Sequence, residues 1–129
     1  MQGTVTQIEI RNIVRGRDLE NVAVRNPAGE NLGTIKDVMI DISEGCIAYA
    51  ALSFGGFLGF GDKLFAIPWE AFAYNAADNH FILDVPKERL ENAPGFDKSS
   101  WPTTTEREWL TGMYSHYGYT PYWERRFER

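Results

Sequence analysis

Hydrophobic and polar positions alternate along residues 19–85 in short runs separated by turn residues, which is the two-residue period of half-buried strands. In residues 19–24, Val22 and Val24 share a face. Asn26-Pro27-Ala28-Gly29-Glu30-Asn31 then predicts a turn, because proline presets φ and glycine accepts a positive φ. Residues 33–42 predict the next strand, with a slip in its alternation. Ile35 shares a face with Val38, Ile40 and Ile42 only if one extra residue is accommodated at Lys36 or Asp37, as a β-bulge does. Ser43-Glu44-Gly45 predicts a hairpin turn into residues 46–54, the most apolar strand. Ile47, Tyr49 and Ala51 fall on one of its faces, and Cys46, Ala48, Ala50, Leu52 and Phe54 on the other. A strand apolar on both faces is covered on both. One cover is the interior of a barrel; the other is the chain's own appendage or another subunit.

A glycine-rich and aromatic loop, Gly55-Gly56-Phe57-Leu58-Gly59-Phe60-Gly61-Asp62, runs into a short strand at 64–67 that Pro68 ends. Pro68 to Phe72 predicts a single helical turn. Residues 73–75 and 80–85 predict a hairpin with Phe81, Leu83 and Val85 inward and His80, Ile82 and Asp84 outward. Pro86 opens a short helix over 86–92 that Pro94-Gly95 closes, and residues 96–102 form a linker held to the barrel by Phe96 and Trp101. A capping box, Thr103 with Glu106 or Thr105 with Glu108, starts a helix that stops at Gly118. Trp109, Leu110, Met113, Tyr114 and Tyr117 fall on one face of it at helical spacing. The remainder, through Tyr119, Tyr122, Trp123 and Phe127, is aromatic, basic and broken by turns. The expected organisation is an N-terminal segment (1–18), a barrel domain (19–97), and a linker with a C-terminal helix and aromatic arm (98–129).

With 129 residues, 43% hydrophobic and 24% charged, the composition is that of one ordinary globular domain. A single cysteine, Cys46, allows no internal disulfide. Neither a secretory leader nor a stretch near the ~20 apolar residues of a membrane helix is visible, so a cytoplasmic protein is expected. The net charge of −5 is uneven. Residues 18–97 carry 13 acidic against 5 basic side chains, a balance of −8, with +2 before them and +1 after. So acidic a body repels phosphate backbones, and direct nucleic-acid binding is not expected.

Candidate chemistry is sparse. The glycines of the loop lie between two strands with no helix N-terminus and no following Lys-Ser/Thr, so they are not a phosphate cradle. They let Phe57, Leu58 and Phe60 fold over the barrel mouth; the alternatives are an exposed apolar tip that docks on a partner and a small-ligand pocket lined by Phe57, Phe60 and Trp69. His80 and His116 have no second histidine or cysteine at metal spacing, and Cys46 reads as a structural thiol. Asp37, Asp41 and Asp62 read as a solvated edge rather than an acid–base pair. No cofactor, metal or catalytic residue is assigned. The aromatic arm carries the interface candidates: Trp109, Tyr114, Tyr117, Tyr122 and Trp123 beside Phe57, Leu58, Phe60 and Trp69, residue types enriched at hot spots.

The turn and second strand, Asn26 through Asp41, the loop Phe54 through Lys63 with Phe65-Ala66-Ile67-Pro68-Trp69, and Ala93-Pro94-Gly95-Phe96 before Trp101-Pro102 resemble, in order and spacing, the PRC-barrel family, notably its stand-alone bacterial members. The family also occurs in the cytoplasmic part of the photosynthetic reaction centre H subunit and in a ribosome maturation factor. The resemblance covers residues 12–102. It implies a mainly β fold, a small, partly open antiparallel barrel with a short helix near its end, and no shared catalytic set. The expected function is a non-enzymatic protein-binding or scaffolding module that self-associates through the apolar strand and the aromatic arm. The alternatives are an adaptor in ribosome maturation that binds a basic ribosomal protein, and a small-ligand-binding barrel.

Overall fold

The computed structural model describes residues 13–54, 63–93, 95–97, 101–102 and 107–125. Its centre is one curled sheet of seven strands: β1 (Ala23–Arg25), β2 (Asn31–Asp41), β3 (Cys46–Ser53), β4 (Lys63–Ile67), β5 (Phe72–Asn75), β6 (His80–Leu83) and β7 (Phe96–Asp97). Their order is β5-β6-β1-β2-β3-β4-β7, so among the described residues the barrel is open, with β5 and β7 as its edges. The pairings are antiparallel except for β1 with β6, which are parallel. The β5–β6 hairpin returns to the start of the sheet and lays its second strand alongside β1.

The first strand begins later than the alternation of Val22 and Val24 suggests. Gly16–Leu19 is a 3-10 turn, Asn21 has φ 71°, and only Ala23–Arg25 joins the ladder. Asn26 builds the next turn: its amide nitrogen donates to Glu30 Oε1 at 2.6 Å, and its Oδ1 accepts from the Glu30 N–H at 2.9 Å. Gly29, at φ 89°, supplies the left-handed residue that closes it.

The bulge expected near Lys36 is present. The β2–β3 register steps from Ile35↔Leu52 to Asp37↔Ala51, leaving Lys36 extra. A second shift, from Met39↔Tyr49 to Ile40↔Ile47, leaves Ala48 of β3 without a counterpart on β2. A one-residue slip exchanges the faces of whatever follows it. Ile47 therefore shares the face of Ala50 and Leu52, and Cys46 that of Tyr49 and Ala51, the reverse of the uninterrupted alternation. Gly33, at φ 124°, sits where an added Cβ would collide with the Ser53 carbonyl oxygen, so β2 and β3 approach there only because the residue has no side chain.

By register, Ile35, Ala50, Leu52, Phe65 and Ile67 occupy the inner face, buried with Val24, Phe81 and Leu83. Phe81, Leu83 and Val85 point inward as their alternation indicates. Trp69–Ala71 is the expected single turn after Pro68, and α1 (Lys87–Glu91) is the short helix opened by Pro86. Phe96, expected in a linker, joins β4 as β7 through Leu64↔Phe96, and its ring meets Trp101 at 5.1 Å. Beyond it, α2 (Arg107–His116) ends at Gly118, φ 80°, and is followed by an unexpected short helix, α3 (Tyr122–Arg125). Among the described residues no helix is long and apolar enough to cross a membrane. The capping-box residues Thr103, Thr105 and Glu106 and the loop residues Phe57, Leu58 and Phe60 lie outside the described residues.

Candidate binding cleft between the hairpin and the C-terminal arm

The outer face of β3 and β4 is as dry as the inner one. Tyr49 and Ala51 are 0% exposed and Ala66 is 5% exposed. Ala51 and Ala66 stand opposite each other, and their small side chains let a helix lie close. The cover is the chain's own arm. Leu110, Met113 and Tyr114 of α2 and Tyr117 just after it are buried, and Trp109 meets Tyr49 edge-on at 5.6 Å. The two-sided apolar strand is thus satisfied within one chain.

Polar ties fix the arm. The Tyr114 hydroxyl, fully buried, donates to the Ala48 carbonyl at 2.6 Å. That carbonyl belongs to the residue the second bulge leaves unpaired, so the tyrosine satisfies a group the ladder drops. The Tyr122 hydroxyl donates to Asp41 Oδ2 at 2.5 Å, and Asp41 Oδ1 accepts from the Glu44 N–H at 3.0 Å. The Tyr122 bond, aided by the Glu44 and Ser43 N–H groups and by the charge of Arg107, outweighs partial burial and holds the Asp41 carboxyl below its ordinary value. Burial, reinforced by donation to Asp41, raises the Tyr122 phenol. Arg125 forms an ion pair with Glu70, and Arg89 of α1 donates to the His116 carbonyl at 3.1 Å.

Between the β2–β3 hairpin and the arm lies a cleft of about 500 Å³. Its floor includes Met39, Ala48, Tyr49 and Leu110, and its walls carry Asp41, Glu44, Arg107, Tyr122 and Trp123. The Arg107 guanidinium lies over the Trp123 ring, 4.3 Å from its centroid, a cation–π contact. At the rim, Ile40 is 62% exposed and Ile42 is 89% exposed. Both had the pattern of inward residues. They keep the face of Ile35, but the hairpin runs past the end of the core, so no inner layer meets them.

The interface candidates are therefore divided. Tyr122 and Trp123 line the cleft. Tyr114 is a buried pin beneath the arm. Trp109 and Tyr117 line a separate groove of about 380 Å³ with Ala66, Met113 and His116. Trp69 is distant in role: it packs with Phe72 at 5.6 Å and Phe81 at 5.5 Å. Among the described residues, the buried hydroxyls of Tyr49 and Tyr117 and the Nε2 of His116 have no hydrogen-bond partner. Burial pushes the Tyr49 phenol up to about 12. Cys46 is half-buried on the arm side, its thiol raised first by burial and then by Asp41 and Glu44. Among the described residues no cluster of three His, Cys, Asp or Glu side chains is placed to hold a metal.

The sequence pattern missed Arg107, Glu70, Ala48 and the exposure of Ile40 and Ile42. Only Arg107, at the start of a helix sixteen residues before Trp123, stood near a signal in the chain, and nothing local paired the two. The PRC-barrel domain family model matches residues 11–90, more than half of the chain. No curated protein matches it.

Proposed function

Because the chain belongs to the PRC-barrel family, whose domains are generally non-catalytic modules, we propose that it is a binding and scaffolding module that associates with copies of itself by exchange of its C-terminal arm. One observation carries this reading. The dry outer face of β3 and β4 is covered by a segment, residues 107–125, that lies beyond the family-matched residues. An arm that fits its own sheet fits the same sheet of a second copy equally well, so exchange needs no new interface chemistry. Trp109, Tyr114, Tyr117, Tyr122 and Trp123 are the contacts such an exchange would carry across. A chain with one cysteine suits a reducing compartment such as the cytoplasm.

Light scattering from low micromolar to high micromolar concentration tests the proposal. A mass that rises to a dimer or beyond, with mixed species formed from two differently tagged full-length chains, is the expected result. A monomer across the whole range, with no mixed species after prolonged incubation, refutes it. A second reading, an adaptor for a basic client such as a ribosomal protein, is favoured by the balance of −8 over residues 18–97. Co-sedimentation with ribosomal particles that is lost in moderate salt would support it, and a native pulldown without ribosomal proteins would remove it.

A further inference from the structure

The geometry of the hairpin–arm cleft points to a small-molecule site, and we infer that it takes a zwitterion with an apolar body, an apolar α-amino acid. The cleft holds one cation, Arg107, and two carboxylates, Asp41 and Glu44, and Arg107 forms an ion pair with neither. Arg107 lies over Trp123 and, among the described residues, makes no ion pair or hydrogen bond. Its charge is felt at Asp41, yet the two form no ion pair within 4.0 Å. Asp41 accepts from the Glu44 N–H, the Tyr122 hydroxyl and the Ser43 N–H, which leaves its carboxylate room for one further donor. The same cleft is lined by the apolar side chains of Met39, Ile40, Ala48 and Leu110. Tyr49, fully buried, lines the same cleft and has a hydroxyl with no hydrogen-bond partner among the described residues.

A purely anionic ligand would gain Arg107 and be repelled by Asp41 and Glu44. A purely cationic one would meet the opposite conflict at Arg107. An α-amino acid resolves both: its carboxylate meets the guanidinium fork, its ammonium meets Asp41, and its side chain covers Met39 and Leu110. A volume of about 500 Å³ accommodates leucine or phenylalanine with room for water. This site is independent of whether the arm belongs to the same chain or to a second copy, and its readout is local rather than a change of mass.

The test is a titration of the full-length, ¹⁵N-labelled chain with L-leucine, N-acetyl-L-leucine and L-leucinamide, followed by amide chemical shifts. L-Leucine is expected to give saturable shifts at Asp41, Ile42, Arg107 and Leu110 with a dissociation constant on the order of 1 mM. Each capped compound, which lacks one charge, should bind at least ~10-fold more weakly, and so should L-leucine to the Arg107→Gln variant. The inference is overturned if L-leucine gives no saturable shifts in the cleft at tens of millimolar, or if either capped compound binds as well as L-leucine. Equal binding by a folded R107Q chain overturns it too. The capped-ligand comparison uses the unmodified chain and decides the matter even where R107Q does not fold.

Discussion

Replacing Tyr114 with phenylalanine removes one oxygen atom from the interior, and the structure says what that atom does. The ring stays, 0% exposed and packed on Tyr122 at 5.9 Å, so the apolar burial is retained. What goes is the 2.6 Å hydrogen bond to the Ala48 carbonyl. Most lost hydrogen bonds cost little because water replaces the partner; here Ala48 is 7% exposed and the ring that stays over its carbonyl is fully buried. Ala48 has no counterpart on β2, and its register with β4 is not formed either, so no strand stands ready to take over. The buried carbonyl then bears its desolvation penalty unmet, about 1–3 kcal/mol. For a domain of this size that is a fall in Tm of roughly 4–12 °C. Urea unfolding followed by tryptophan fluorescence should show a lower midpoint at an unchanged slope, since the same surface is exposed on unfolding. Tyr114→Ala, which adds a cavity, should cost about 3–5 kcal/mol. A Y114F chain within about 0.3 kcal/mol of the parent would show that the carbonyl finds another donor and that the bulge and the arm are not coupled as argued.

Further outcomes follow from the same contacts. Gly33→Ala should destabilise by about 2–4 kcal/mol through backbone strain and overlap with Ser53. Gly112→Ala, exposed within α2 with open space at its Cβ, should stabilise by about 1 kcal/mol; thermal melts separate the two signs. Tyr49→Phe should be neutral or stabilising, by up to about 1.5 kcal/mol, because its buried hydroxyl has no partner among the described residues; a clear loss of stability would reveal a hydrogen bond at that atom. Asp41 titrates below its ordinary value of 3.8 in the folded chain, so its contribution to stability is complete above that pH and is lost as pH falls through the folded value. Tyr122→Phe should therefore flatten the acid limb of a stability–pH profile, and an unchanged limb would remove Tyr122 as the cause.

Much of the barrel was legible because strand alternation and turn chemistry are local. The bulge at Lys36 could be read from the slip between Ile35 and Val38, since every residue that had to change face was large and apolar. The bulge at Ala48 could not, because the strand is apolar on both faces and a change of face puts no polar residue out of place, so Cys46 and Ile47 were assigned to the wrong ones. The arm's apolar face, from Leu110 to Tyr117, followed from helical spacing. Which surface it covers did not, because the complement is a patch of small residues, Ala51 and Ala66, that periodicity registers only as apolar. The cleft was the least legible part. Asp41 and Tyr122 are 81 residues apart, and no local pattern records a pairing made by docking one element on another.

The arm divides its labour between two kinds of contact. Burial of Leu110, Met113, Tyr114, Tyr117, Tyr122 and Trp123 supplies attraction, about 1.5–3 kcal/mol for each large side chain, and is tolerant of position because the face beneath is a nearly uniform apolar surface. Register has to come from elsewhere. It comes from polar ties set at separate places: Asp41 at the hairpin, Ala48 at the bulge, Glu70 in the single turn after β4, and Arg89 in α1. A shift of one helical turn would keep most of the apolar area and lose these ties. Loss of one tie should therefore loosen the seating of the arm more than its affinity, and the cleft, whose walls are half hairpin and half arm, should be the first part of the surface to feel it. That separation gives a criterion for arm exchange: a second copy's arm is seated in the native register only if it re-forms the tyrosine bonds to Asp41 and Ala48. Dimers of Y114F or Y122F chains would then form at similar concentrations yet show altered amide shifts in the cleft.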